Sequence, residues 1–166
     1  MILSFSFLLW PLAIASTLLG IMMVAAADID ARTMLLPDSL TLGAVIGGLL
    51  AAFILDVDGN NQRVAIETAL IKAVITALLL ALGRKAYAFF RDQEGIGLGD
   101  VKLGAAIGAW LPAEQIPNCF LLASIAALIF VAFGREKMDR LSRLPFGAFL
   151  CPVLWLLVFV HYIDPI

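Results

Sequence analysis

From residue 2 to residue 27 the chain passes through 26 positions without one charged side chain. A helix needs about 20 apolar residues to cross the hydrocarbon core of a bilayer, so this run is long enough to span it. No water reaches backbone N–H and C=O groups at that depth, and a helix satisfies them internally. Five further apolar runs follow, at residues 40–55, 65–90, 99–112, 116–133 and 144–162, separated by short polar connectors. The predicted fold class is therefore all-α, a polytopic membrane protein with about six transmembrane helices, residues 1–166 forming a single membrane-embedded domain. The fourth run is short. A helix opened near Gly99 and stopped by Pro112 is only about 20 Å long at 1.5 Å per residue. Its polar start is expected below the membrane surface.

Composition removes the alternatives. Of the 166 residues 63% are apolar and 14% charged, with a mean hydropathy of +1.03. Soluble domains average about 45–50% and about 25%, and a chain of this length cannot bury such an excess. The low charge argues against disorder, and two cysteines against a disulfide scaffold. Cys119 and Cys151 sit in separate apolar runs and form no CxxC pair, so they read as small buried hydrophobes and not as zinc ligands. The single histidine, His161, reads as structural. The first run ends in Ala25-Ala26-Ala27, as signal peptides do. No Lys or Arg precedes it, however, and it exceeds a signal core in length, so it is read as a retained span. A net charge of −2 gives no support for nucleic-acid binding.

The charges are few and one-sided. With six spans, Arg32, Arg84, Lys85, Arg91, Lys102, Arg135, Lys137, Arg140 and Arg143 fall on one side, and only Arg63 and Lys72 on the other. The positive-inside rule places the first side in the cytoplasm. Asp28, Asp30, Asp92, Glu94 and Asp100 share that side. The basic stretch 134–143 reads as a contact for anionic lipid.

A carboxylate at membrane depth is a functional candidate. Asp100 follows Glu94-Gly95-Ile96-Gly97-Leu98-Gly99, and three alternating glycines disfavour helix and let another backbone come close. Irregular backbone at that depth needs protein or a wet cavity around it. Asp100 is thus expected at a helix start beside a water-filled pocket, with an extended substrate lying along the glycines. Asp28 and Asp38 read as solvated loop carboxylates. Two carboxylates in one cavity resist double ionisation and share a proton. One then activates a water while the other polarises a scissile carbonyl. Asp100 and Asp30 form the natural pair, although spacing alone does not separate Asp30 from Asp28. A small ion- or proton-coupled transporter using the same aspartates is the alternative from another class.

Three segments together are more specific than any of them alone. Asp30-Ala-Arg-Thr-Met-Leu-Leu-Pro37-Asp38-Ser-Leu-Thr resembles the first-aspartate motif of type IV prepilin peptidases, an Asp seven residues before a Pro-Asp pair. Gly97-Leu-Gly99-Asp100-Val-Lys102-Leu103 is similar to the GxGD motif of the same family, and Pro145-Phe146-Gly147 to the segment opening its last span. The resemblance selects Asp30 over Asp28. It implies a membrane aspartyl endopeptidase of a prokaryotic inner membrane that cleaves the basic leader from prepilin-like, pseudopilin or Flp-type substrates at the cytoplasmic face. Archaeal preflagellin peptidases are relatives. A presenilin- or signal-peptide-peptidase-like protease, which shares GxGD but cleaves within the span, is the rival among enzymes; the missing partner motifs and the small size argue against it. The catalytic pair is then Asp30 and Asp100, and the substrate-binding set Gly97, Gly99, Lys102, Glu94, Pro37 and Asp38. Lys102 has three readings: a hold on a substrate carboxylate, a cation lowering a carboxylate pKa, or a side chain snorkelling to headgroups. Acidic Asp28, Asp38, Asp92 and Glu94 would suit a basic leader. No cofactor and no metal are implied, and the expected partners are the substrate and the bilayer. Longer family members carry an N-terminal region with CxxC pairs, linked to zinc and to methyl transfer from S-adenosylmethionine. This chain resembles the short form, for which N-methyltransferase activity is not expected.

Overall fold

The computed structural model describes residues 2–55, 62–91, 97–133 and 145–163. They form six helices: α1 (Ile2–Thr33), α2 (Asp38–Leu55), α3 (Gln62–Arg91), α4 (Leu98–Trp110), α5 (Gln115–Phe133) and α6 (Phe146–Ile163). No strand occurs among the described residues. Stretches within α1 (Ala13–Thr33), α3 (Gln62–Phe89) and α5 (Gln115–Phe133) are each long and apolar enough to cross a membrane, and α2 and α6 hold shorter apolar stretches. The order and number of helices match the six apolar runs. Helix α4 has 13 residues, about 20 Å of rise, as its short run predicted. Large apolar side chains such as Leu79, Leu128 and Phe133 stay 64%, 70% and 89% exposed, which suits a surface solvated by lipid.

Two local expectations change. The polar stretch 28–33 is not a connector: α1 continues through it to Thr33. Leaving the apolar layer does not require unwinding, and Asp28 and Arg32 form an i,i+4 ion pair at 2.9 Å that supports the helical turn. The helix stops at Met34, whose φ is 54° and whose N–H donates to the Asp30 carbonyl at 2.8 Å. This is the left-handed closure usually given to glycine, and a side chain there costs about 1–2 kcal/mol. The turn sends the chain through Leu35-Leu36-Pro37 into α2. There the Pro37 carbonyl accepts from Leu40 and Thr41 N–H, both at 3.2 Å. The Asp38 carboxylate, expected to stand solvated in a loop, pairs with Lys102 of α4.

Small residues set the packing. Helix α4 is the central post, packed against α2, α3, α5 and α6, while α1 packs against α2 and α6. The interior includes Ala26, Ala44, Ala73, Ala106, Ala109 and Ala123. Without a hydrophobic drive between helices in lipid, close approach through small residues is what associates them. Gly47 and Gly48 of α2 leave space for the Trp110 ring, whose Nε1 donates to the Ala44 carbonyl at 2.7 Å. At the far end of α4 the Lys72 ammonium donates to the Leu111 carbonyl at 2.9 Å, as cations near a helix C-terminus do. Cys119 and Cys151 are buried free thiols, in line with their reading as small core residues.

The α3–α4 crossing is the tightest. A methyl on Gly108 would lie 2.6 Å from the Lys72 carbonyl carbon and 2.7 Å from Ala73 Cα. Both are backbone, so neither moves without parting the helices. Gly108→Ala is expected to destabilise the fold by about 1–3 kcal/mol, read as a lowered thermal midpoint in detergent micelles. An unchanged midpoint would contradict the crossing.

Candidate active site

Asp30 and Asp100 come together against the start of α6. Asp30 lies in the last turns of α1 and is only 4% exposed. Its Oδ2 accepts from the Ala148 N–H at 2.9 Å, and the Gly147 N–H is turned to the same carboxylate. These are first-turn amides of α6, which have no partner within their own helix. Asp30 thus caps α6 from another helix, using the anion-binding character of a helix N-terminus.

Asp100 is the third residue of α4, after an N-cap at Gly97. Its carboxylate reaches back to the Gly97 N–H, the return half of a capping box. In the GxGD motif the Asp therefore sits where a helix can orient it from within. Gly97 has φ −67° and ψ 150°, which any residue can adopt, so its glycine is not a conformational need. Gly99 is explained by close approach. A methyl there would lie 2.8 Å from Leu36 Cβ. What this glycine admits is the Leu36 side chain of the chain's own α1–α2 connector.

Gly147 lies at the meeting point. A methyl on it would stand 2.8 Å from Asp30 Oδ2 and 3.2 Å from Asp100 Oδ1, and would collide with Leu36 Cδ1. The two carboxylate oxygens are therefore no farther apart than the sum of those distances, about 6 Å. That is within the span of one water hydrogen-bonded to both, at about 2.7–3.0 Å each.

Asp28 lies outside this group. It is exposed and paired with Arg32, and it lines an open apolar groove of about 760 Å³ between α1 and α6, with Gly20, Val24, Trp155 and Phe159 among its walls. Lys102 pairs with Asp38 through Nζ and Oδ1. Pro37 lies between Leu36 and Asp38 in the connector. Glu94, Asp92 and Gly95, like the basic stretch 134–143, lie outside the described residues. Among the described residues no group of three or more His, Cys, Asp or Glu side chains gathers as a metal-ligand set. Sequence reasoning missed Leu36 and the Gly147-Ala148 amides as neighbours of the aspartates. The Pro145-Phe146-Gly147 segment was the available signal, since Pro before a helix with Gly in its first turn marks a start where backbone is bared.

Comparison with known proteins gives a consistent picture. Residues 17–132 match the Type IV leader peptidase family. The chain is 39% identical over 151 residues to a prepilin leader peptidase/N-methyltransferase of Dickeya chrysanthemi, covering 86% of this chain and 50% of that protein. It is 38% identical over 130 residues to the protein of that description in Burkholderia pseudomallei strain 1026b, covering 77% and 40%. For the one in Aeromonas salmonicida strain A449 the figures are 35% over 145 residues, 86% and 48%. The chain thus spans about half the length, or less, of these relatives. No solved structure is significantly similar to it.

Proposed function

The chain belongs to the type IV leader peptidase family, and on that premise we propose that it is a membrane aspartyl endopeptidase that removes the basic leader from prepilin-like substrates. Residues 1–166 act in this reading as one membrane-embedded unit. The observation that carries it is the meeting of Asp30 and Asp100, seventy positions apart in sequence, at Gly147 within about 6 Å of each other. A water held between them loses a proton to one carboxylate and attacks the scissile carbonyl. The other carboxylate, protonated, hydrogen-bonds that carbonyl and later gives its proton to the leaving amine. Like charges this close resist double ionisation, which keeps one proton on the pair. Activity is then expected to fall in acid, where both are protonated, and in alkali, where both are charged.

Gly97, exposed and extended at the start of α4, is assigned to the substrate backbone, and Pro37 of the connector is kept in the same set; Gly99 is covered by Leu36 and is not. Glu94 suits a basic leader by charge. The site faces the cytoplasm of a prokaryotic inner membrane, in keeping with the one-sided basic residues. The proposal covers cleavage and not methyl transfer.

Incubating membranes that contain the protein with a prepilin-like substrate tests this. A shortened product with an unmethylated new N-terminus is expected by mass spectrometry. A transporter would leave the substrate intact, and a methylated terminus would overturn the last point. Orientation is checked with Leu35→Cys, a 71% exposed connector position. A membrane-impermeant thiol reagent should label it in inside-out vesicles and not in intact cells.

A further inference from the structure

The α1–α2 connector and the first residue of α2 grip α4 at two points on one face of its opening turns. Leu36 Cβ is packed on Gly99, and Asp38 Oδ1 holds the Lys102 ammonium across 64 positions of sequence. Gly99 and Lys102 are three residues apart and therefore neighbours on the helix surface. Asp100 and Lys102 are two apart and project about 200° from one another. Lys102 is thus directed away from the carboxylate that it follows in the motif. Its observed partner is not on the dyad.

We propose that the Asp38–Lys102 ion pair is a positioning device that sets the rotation of α4 about its axis and so aims Asp100 at Asp30. This rests on the reading of those two aspartates as the catalytic dyad. Leu36 against Gly99 supplies one fixed point and the ion pair the second. Two points on one face define an azimuth where a single apolar contact would let the turn roll. At the N-cap, Gly97 supplies no side-chain hydrogen bond to steady the turn. The side chains of Lys102 and Asp38 are 39% and 64% exposed, and exposed pairs add little to fold stability. Aim is a different matter, since a displacement of about 1 Å at a reacting group can lower a rate about a hundredfold.

The test compares the wild type with Lys102→Met, Asp38→Asn and the exchanged pair Asp38→Lys/Lys102→Asp, in one cleavage assay. Each single variant is expected to lose roughly tenfold or more in kcat with little change in KM. The thermal midpoint should stay within error, and the exchanged pair should recover most of the lost kcat. A merely structural contact would move the midpoint together with the rate, which would overturn the proposal. So would Lys102→Met raising KM at constant kcat while Asp38→Asn does nothing, because Lys102 would then be holding substrate. A wild type without cleavage would refute the dyad reading itself; active wild type with fully active single variants would refute only the positioning role.

Discussion

Asp30→Asn and Asp100→Asn are each expected to slow leader cleavage by about a thousandfold or more, and the double variant should be scarcely slower than either. The argument is chemical and local. Asn keeps the size and planarity of Asp and retains an oxygen that accepts from the Ala148 N–H, so the cap on α6 survives at position 30. At position 100 the same oxygen can still accept from the Gly97 N–H. The amide neither takes a proton from water nor returns one to a leaving amine. Acid–base participation is worth about 10²–10⁴ in rate, and two groups that work on one water fail as a unit, so their losses do not add. Single-turnover cleavage in membranes, with enzyme in excess over substrate, measures this free of product release. Unchanged helical content and melting behaviour in the variants would confine the loss to chemistry. Full activity in either variant would end the assignment of that residue.

How much of this could be read from the sequence follows from which interactions are local. The six helices are legible because apolar length is a property of consecutive residues. The extension of α1 to Thr33 is not, because polarity was taken for a loop, whereas Asp28 and Arg32 at i,i+4 are equally the mark of a continuing helix. Asp28 and Asp30 are indistinguishable by composition. In three dimensions they lie on opposite sides of α1, one exposed with Arg32 and the other buried on the α6 amides. The motif resemblance, not the spacing, selected Asp30. Gly99 was read as a place where another backbone comes close; what comes close is the Leu36 side chain, and no local pattern names a partner 63 positions away. The same limit hid the Asp38–Lys102 pair: each residue had a sensible local reading, as solvated carboxylate and as substrate hold or snorkelling cation, and only packing of α2 against α4 joins them.

Gly147→Ala is expected to be the most damaging change that leaves every side chain of the dyad in place, lowering kcat by about a hundredfold or more. The added methyl would lie 2.8 Å from Asp30 Oδ2 and 3.2 Å from Asp100 Oδ1, in the space between the carboxylates where a bridging water is placed by the mechanism. Asp30 cannot retreat without loosening its bond to the Ala148 N–H, and α6 cannot back away without opening its packing against α1 and α4. Overpacking of this kind destabilises by about 1–3 kcal/mol, so a lowered melting midpoint should accompany the lost rate. Leu36 also meets the new methyl, at Cδ1, but the end of a leucine can turn aside. The double variant Gly147→Ala/Leu36→Ala separates the two causes, because it clears the leucine and leaves the carboxylates crowded. Its stability should rise toward that of Leu36→Ala alone while cleavage stays slow. Recovery of cleavage in the double variant would mean that Leu36 carried the damage, and the gap beside Gly147 would no longer mark the position of the attacking water.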